Sequence, residues 1–243
     1  MEARIVDTPS HFSDRVFRLL ERIDYRIAKS SVEREAVFRL RYDAYRRNEL
    51  LEPRADGQLY DQRYDNATNA LITMTFLDGQ LVGTTRVNLG AGENAVLPSL
   101  HVYRDVIEPR LRAGSVLIET TRLAAQLDTS SAHAELAYLI MRPGYIAAEH
   151  FDADYAVASP RAEHMAFYRR VLCFVPWCQP RPYPGLTAEF ACMGANFHEN
   201  KKRIEARYPF YSSTAAEREA LFGPTPPRRS VSRRTEFEPR VVA

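Results

Sequence analysis

Hydrophobic and polar positions follow two different periods along this chain, and together they predict a mixed α/β protein. Between residues 10 and 23, apolar side chains recur every three or four positions opposite arginines and acids, which predicts an amphipathic helix packed on the main domain. Residues 70–77 and 81–89 instead have the pattern of strands, and Asp78-Gly79 between them is typical of a hairpin turn.

The rest of the chain continues this mixture. A short strand is predicted at residues 25–28, followed by a helix that begins at Ser30, where Glu33 completes a capping box. Further on, the pattern predicts helices within 96–111, 132–150, 160–172 and 196–208, and strands at 117–125, 156–158, 174–175 and 187–193. We therefore expect an N-terminal helix (1–24), a single domain (25–222) and a Pro- and Arg-rich disordered tail (223–243).

The strand at residues 117–125 is unusual because it contains Glu119 and Arg122 within an apolar pattern. Charges in such a strand are costly unless they are paired or used. Side chains alternate between the two faces of a strand, so these two groups can share a face only if the strand bulges between them. A structural ion pair at a sheet edge is the alternative, but we favour a functional site.

Two further arginines fall where the pattern predicts burial. Arg41 lies on the apolar stripe of the second helix, four residues from both Val37 and Tyr45. It needs a carboxylate partner or a ligand there, unless it extends to the helix edge. Arg86 lies within the second hairpin strand, and the long polar segment at 52–68 is of a kind that is more often functional than a tight turn.

The composition narrows the class of protein. The net charge of +2 is too small to indicate nucleic-acid binding. Arginine heavily outnumbers lysine, which reflects either forked recognition of carboxylates and phosphates or genomic base composition. The three cysteines form no metal-binding pattern, so we expect reduced thiols. The first residues of the chain lack the apolar segment that is typical of a secretory signal. No apolar run approaches the roughly 20 residues of a membrane span. We therefore expect a cytoplasmic protein with no integral membrane association.

Five motifs follow one another in an order that resembles a known enzyme superfamily. They are Leu40-Arg41-Tyr42, Tyr64-Asp65, Val82-Gly83-Thr84-Thr85-Arg86-Val87, Ile118-Glu119-Thr120-Thr121-Arg122-Leu123, and His164-Met165-Ala166-Phe167-Tyr168-Arg169-Arg170 with Phe174. Together with the predicted order of elements, the series resembles the long-chain branch of the GNAT acyltransferases, which comprises the N-acyl amino acid synthases and the acyl-homoserine lactone synthases. Each motif is weak alone, but the series is fairly specific over about residues 25–195.

The resemblance implies a GNAT fold, in which helices flank a mixed, largely antiparallel central sheet with a bulged, splayed fourth strand. It also implies direct transfer of a long-chain fatty acyl group from a thioester to the amine of an amino acid. No covalent enzyme intermediate, metal or redox cofactor is expected. Glu119 is then the base for the amine, acting directly or through a water, and Tyr168 protonates the departing thiolate unless it is simply a core tyrosine.

The resemblance assigns substrate-binding roles to seven further residues. Arg41, Arg86 and Arg122 would orient carboxylates, including that of the amino acid. Asp65, and less surely Asp61, would balance the guanidinium charges or hold the ammonium group. Backbone amides near Leu123 and Ala124 would stabilise the thioester oxyanion.

Two departures from these families bear on which one fits better. Cys173 occupies a position that is usually glycine in the late motif, and this departure affects the backbone turn just before Phe174. The acyl-homoserine lactone synthases carry their two acids closer together than Asp61 and Asp65, so the N-acyl amino acid synthases are the better match.

The donor is predicted from an absent motif. CoA-dependent GNAT enzymes bind pyrophosphate on a glycine-rich loop after this strand, but residues 126–133 contain no glycine and one acid. We therefore expect acyl carrier protein as donor. Because carrier proteins are acidic, a basic docking surface is expected at Arg161, Arg169 and Arg170, or at Arg110 and Arg112.

Three alternatives to this function stay open at the level of sequence. They are a CoA-dependent N-acyltransferase, an autoinducer synthase like the acyl-homoserine lactone synthases, and a non-catalytic GNAT-like module that binds an acyl carrier. The presence of all five charged residues argues against the last of these, because binding alone would not require Arg41, Asp65, Arg86, Glu119 and Arg122 together.

Overall fold

A computed structural model describes residues 9–92 and 94–226, with side chains from residue 11 onward. Within these residues the strands are β1 (Ile23–Ile27), β2 (Ala70–Leu77), β3 (Gln80–Gly90), β4 (Leu117–Ala125), β5 (Tyr155–Ala158), β6 (Val175–Pro176), β7 (Arg181–Pro182), β8 (Glu189–Phe190) and β9 (Met193–Asn196). The helices are α1 (Pro9–Leu20), α2 (Ser31–Arg47), α3 (Gln62–Asp65), α4 (Ser99–Val102), α5 (Arg104–Arg112), α6 (Leu127–Ala132), α7 (Leu136–His150), α8 (Met165–Leu172), α9 (Phe197–Arg207) and α10 (Ala215–Phe222).

The central sheet has the strand order β1-β2-β3-β4-β5-β9-β6, and β7 and β8 form a separate pair. Among the described strands, β4 and β5 make the only parallel pair, and the other neighbours are antiparallel. At the β2–β3 turn, Asp78 and Gly79 both have positive φ, of 49° and 82°, which is the geometry that an Asp-Gly hairpin favours. The predicted fold class, a largely antiparallel mixed sheet with a bulged fourth strand, is confirmed.

Helices cover the two faces of β3 and β4. On one face α7 approaches so closely that a Cβ added at Gly144 would lie 2.2 Å from Cγ2 of Thr120. On the other face lies α2, which begins with the predicted capping box between Ser30 and Glu33. The largest apolar core lies between the sheet and the α7 side, and it includes Val16 and Leu19 of α1. The N-terminal helix is therefore packed on the domain.

Some predicted boundaries are wrong. The predicted strand at 187–193 is not continuous. Within it Glu189–Phe190 forms β8, and β9 begins only at Met193 and extends to Asn196. Helix α10 was not predicted, although Thr214 caps it by accepting from the backbone of Glu217, which is a recognisable sequence signal. Most of the predicted disordered tail (223–243) lies outside the described residues. In the described part of the chain, no helix is both long enough and apolar enough to cross a membrane.

Candidate active site

A bulge in β4 organises the candidate site. Thr121 lies opposite Arg86 and Ala124 lies opposite Thr84, so two residues of β4 occupy the place of one between them. Arg122 has φ of 55°, which is the left-handed conformation that such bulges require. Beyond Thr120, β4 no longer pairs with β5, so the two strands separate and open a cleft. The bulge predicted from the spacing of Glu119 and Arg122 is confirmed.

Arg41 and Arg86 converge on a single carboxylate beneath this bulge. Nη1 of Arg41 lies 2.8 Å from Oδ1 of Asp65, and Nη1 of Arg86 lies 3.1 Å from the same oxygen. Nε of Arg86 donates to Oγ1 of Thr121. All three charged side chains are buried, so Arg41 does not extend to the helix edge. Asp65 belongs to α3, so the polar segment between α2 and β2 brings a carboxylate to the candidate site.

This cluster carries an excess of positive charge. Two guanidinium groups share one carboxylate, so one positive charge is left without a compensating partner in the trio. Burial lowers the pKa of Arg41 to about 10, even though Asp65 opposes this. Burial would raise the pKa of Asp65, but the charges of Arg41 and Arg86 hold it below its usual value. Nε and Nη2 of Arg41 are buried without hydrogen-bond partners, which suits a cluster that accepts an anion.

Glu119 lies on the same side of the sheet but deeper. Its side chain is fully buried, and its oxygens accept from the backbone N–H of Ser99 at 3.0 and 3.2 Å and from its hydroxyl at 2.8 Å. Burial raises the pKa of Glu119 to about 7, against the opposing effects of the Ser99 hydrogen bonds and Arg86. Sequence reasoning missed Ser99, because its contact with Glu119 joins segments 20 residues apart.

Arg122 shares this face with Glu119 because of the bulge. Its Nη2 lies 3.8 Å from Oδ2 of Asp61, and its guanidinium carbon lies 5.7 Å from the ring centre of Tyr45. In the described structure Glu119 and Arg122 form no direct ion pair, so the ion pair between them that was the structural alternative is absent. Among the described residues the ion pair between Arg122 and Asp61 is long, so the Arg122 guanidinium is available to a ligand.

Three cavities meet at the bulge. The cleft, of about 400 Å³, lies between β4 and the segment after β5. The apolar cavity, of about 20 Å³, lies between the sheet and helices α7, α8 and α9. We call the third cavity, of about 40 Å³, the polar chamber. Leu123 lines both the cleft and the apolar cavity, whereas Arg122 lines both the cleft and the polar chamber. Ala124 lines the cleft, and Glu119 lines none of the three. The successive residues 122 and 123 therefore share the cleft and extend from it into different smaller cavities, one with two arginines in its wall and one that is apolar.

The late helix contributes to the cleft as well. Tyr168 lines the cleft and the apolar cavity, and burial raises the pKa of its phenol far above its ordinary value, so the hydroxyl stays protonated. Its ring also packs near Phe167 and Phe174, so both the catalytic and the core interpretation are compatible with its position. Cys173 ends α8 with φ of 58°, which is the left-handed conformation that glycine favours at this position.

The predicted docking arginines differ in exposure. Arg169 and Arg170 are exposed on α8, and Arg161 is partly exposed beside the cleft, where it pairs with Glu163. Arg112 is exposed and lies 3.3 Å from Glu108. Arg110 is buried, with its guanidinium 3.6 Å from the ring centre of Trp177, so its assignment to a docking surface is wrong.

Comparison with known proteins defines the class of this protein as an acyltransferase. The structure resembles that of FeeM, an N-acyl amino acid synthase from uncultured soil microbes, with a TM-score of 0.63 and 19% identity over 78% of this chain and 98% of that one. It also resembles the acyl-homoserine lactone synthase LasI, with a TM-score of 0.56 and 11% identity over 86% and 98% of the two chains. A third similar structure is MesI, a CoA-dependent acyl-homoserine lactone synthase, with a TM-score of 0.52 and 18% identity over 74% and 89%. At these identities the likeness concerns the fold alone.

The sequence identifies the family. Residues 36–196 match the family described as N-acyl amino acid synthase FeeM, and the chain belongs to that family. No curated protein matches the sequence significantly.

Proposed function

We propose that this acyltransferase moves a long-chain fatty acyl group from acyl carrier protein to the amine of an amino acid, giving an N-acyl amino acid. The observation that carries the proposal is the meeting of the apolar cavity, the cleft and the polar chamber at the bulge. The cleft is large enough for an acyl tail and its thioester, and the adjoining polar chamber contains two arginines that suit a charged acceptor. The reaction requires no metal or redox cofactor, and a carrier-protein donor would place it in the cytoplasm.

The acyl tail lies in the cleft in this proposal, because the apolar cavity of about 20 Å³ has room for little more than one water-sized group. The apolar side chains that line the cleft include Leu123, Met141 and Phe167. The thioester carbonyl then lies in the cleft beside the bulge, where backbone amides near Leu123 and Ala124 stabilise the oxyanion.

The amino acid binds on the charged side of the bulge. Its carboxylate compensates the excess positive charge of the Arg41, Asp65 and Arg86 trio and is held in part by Arg122. Asp61, which lies near Arg122, balances that guanidinium or receives the ammonium group. The acceptor nitrogen is thereby directed toward the thioester in the cleft.

The chemical step then balances as follows. The acceptor nitrogen attacks the thioester carbon, the C–S bond breaks, and the nitrogen, which enters as an ammonium group, loses two protons in all. Because Glu119 lines none of the three cavities, it takes one of them through a bridging group such as a water rather than by direct contact. Tyr168, a neutral phenol on the cleft, donates its proton to the departing thiolate and regains one from the acceptor nitrogen.

The preference for acyl carrier protein is supported by the segment after β4. Helix α6 contains only Leu127–Ala132, has no glycine, and carries Asp128 in its first turn. A pyrophosphate would meet a negative charge there rather than a cradle of amides. The arm of a carrier protein contains a single phosphodiester, so it needs fewer backbone amides at this position than a pyrophosphate does.

Mass spectrometry of lipids from a host that expresses the protein tests the function. We expect a new N-acyl amino acid, whose mass identifies both the tail and the acceptor. Purified enzyme should then release thiol faster from acyl carrier protein than from the matching acyl-CoA, and faster release from acyl-CoA would refute the proposed donor. The Glu119→Gln variant should keep its fold and lose turnover, whereas a module that only binds would be unaffected.

A further inference from the structure

Residues 178–190 form a proline-containing segment, which we call the strap, and it crosses over the charged side of the bulge. One part is held by Arg181, whose two terminal nitrogens each lie 2.7 Å from an oxygen of Asp105 on α5. The other part is held by Thr187, which donates from its backbone N–H to Leu50 and from its hydroxyl to Glu49. The strap thus joins the segment after α2 to helix α5.

Tyr183 lies between these two anchors and lines the polar chamber. The same chamber is lined by Arg86, Thr121 and Arg122. The ring of Tyr183 packs edge-on against Phe190, with 5.5 Å between the ring centres, and the N–H of Leu186 donates to the Tyr183 carbonyl. Ring and backbone are therefore fixed, so the hydroxyl is presented to the chamber by a rigid support.

The hydroxyl faces charged groups of both signs. Burial raises the pKa of Tyr183 well above its usual value, and the Glu119 carboxylate raises it further against the opposing charges of Arg122 and Arg86. The phenol therefore stays protonated and is available as a hydrogen-bond donor. Tyr183 lines the chamber together with Arg86 and Arg122, so three donor groups surround one small space.

The size of the chamber limits what it accepts. A volume of about 40 Å³ suits a group of the size of one water or one carboxylate, because a water needs at least about 10 to 15 Å³ measured in this way. An amino-acid side chain would have to lie in the adjoining cleft, which is ten times larger.

We propose that the polar chamber holds the carboxylate of the acceptor and that Tyr183 donates a hydrogen bond to it beside Arg86 and Arg122. This inference rests on the proposed function and adds a residue that selects the acceptor. It implies that the enzyme requires the α-carboxylate strictly and tolerates different side chains, because the chamber has room for the carboxylate alone and the side chain lies in the larger cleft.

Steady-state kinetics on Tyr183→Phe test the role of the hydroxyl. With the amino acid that gives the most product, we expect KM for the acceptor to rise about tenfold, since one hydrogen bond to a charged group is removed. The kcat and the KM for the acyl donor should change little. Tyr25→Phe is the matched control, because its hydroxyl donates to the carbonyl of Leu139, away from the three cavities. A loss of kcat with unchanged acceptor KM would overturn the inference.

A binding measurement separates this inference from the transfer reaction itself. N-decanoylglycine and N-methyldecanamide differ by the carboxylate, and calorimetry should show tighter binding of the former to the wild type. Tyr183→Phe should shrink that difference about tenfold. Equal weakening of both compounds, or no change, would overturn the role of Tyr183. If the wild type discriminates between them but forms no N-acyl amino acid, the proposed reaction is wrong and the carboxylate site stands.

Discussion

At the scale of single residues, Asp65 makes the burial of two guanidinium groups possible. It is fully buried, contacts both Arg41 and Arg86, and also accepts from the backbone of Asp61 at 2.8 Å. These contacts hold the four-residue helix α3, which carries Asp65, against the two arginines. The carboxylate therefore determines both local structure and the charge of the site.

Removing this charge should be costly. We expect Asp65→Asn to lower the free energy of unfolding by about 3 to 5 kcal/mol, because two buried guanidinium groups would lose their shared counter-charge. Urea denaturation measures the effect. Asp61→Asn is the control, because that side chain is partly exposed and its contact is long, so its cost should stay below about 1 kcal/mol.

Glu119 makes stability depend on pH in a defined direction. Its pKa of about 7 in the folded state is above its ordinary value of 4.5, so the folded protein holds this proton more tightly than the unfolded chain. Between these two values stability therefore falls as pH rises. We expect the wild type to lose about 2 to 3 kcal/mol relative to Glu119→Gln between pH 5 and pH 8. A pH-independent difference, measured by urea denaturation at each pH, would contradict this.

At the scale of elements, the close contact of α7 with β4 shapes the apolar cavity. Gly144 lies against Thr120, and both residues line that cavity. Helix α7 contains Pro143 next to this glycine, so the contact occurs where one backbone hydrogen bond of the helix is already missing. The small residue is needed for close approach and not for a special backbone angle.

A pair of variants tests this contact. Gly144→Ala should destabilise the protein by about 1 to 3 kcal/mol, because its methyl group would overlap Cγ2 of Thr120. Thr120→Ser removes that methyl group and keeps the hydroxyl, so the double variant should recover most of the loss. Thermal unfolding of the four proteins measures the coupling, and additive effects would argue against direct contact.

Sequence patterns predicted the elements whose cause is local. The β2–β3 hairpin, the cap at Ser30 and the bulge before Arg122 each follow from residues close together in the chain. The strap could not be predicted, because its position depends on Asp105 and Leu50, which are far away in sequence. Tyr183 was missed for the same reason, and Arg110 was misassigned because its partner Trp177 is distant as well.

At the scale of the whole molecule, the exposed arginines of α8 lie next to the helix that lines the cleft. Arg169 and Arg170 face solvent one and two residues after Tyr168. An acidic carrier protein docked there would have its arm close to the cleft. The predicted docking surface therefore lies on the same helix as residues that line the cleft.

Charge reversal tests the docking surface. Arg169→Glu with Arg170→Glu should reduce transfer from acyl carrier protein about tenfold or more at low salt, because close like charges replace attractive ones. Transfer from a small acyl thioester should change little. Lys29→Glu with Arg39→Glu makes the same change in net charge on the α2 side. Equal losses with both donors would remove the docking proposal.

The single parallel strand pair has a consequence for how the enzyme is assembled. Joining β4 to β5 closes the chain between Thr120 and Tyr155, whereas β2 and β3 form a hairpin from adjacent segments. Loop closure over the longer span is slower than hairpin formation. We therefore expect a nascent chain to have the β2–β3 hairpin before β4 and β5 pair, so the cleft beside β4 forms late in folding.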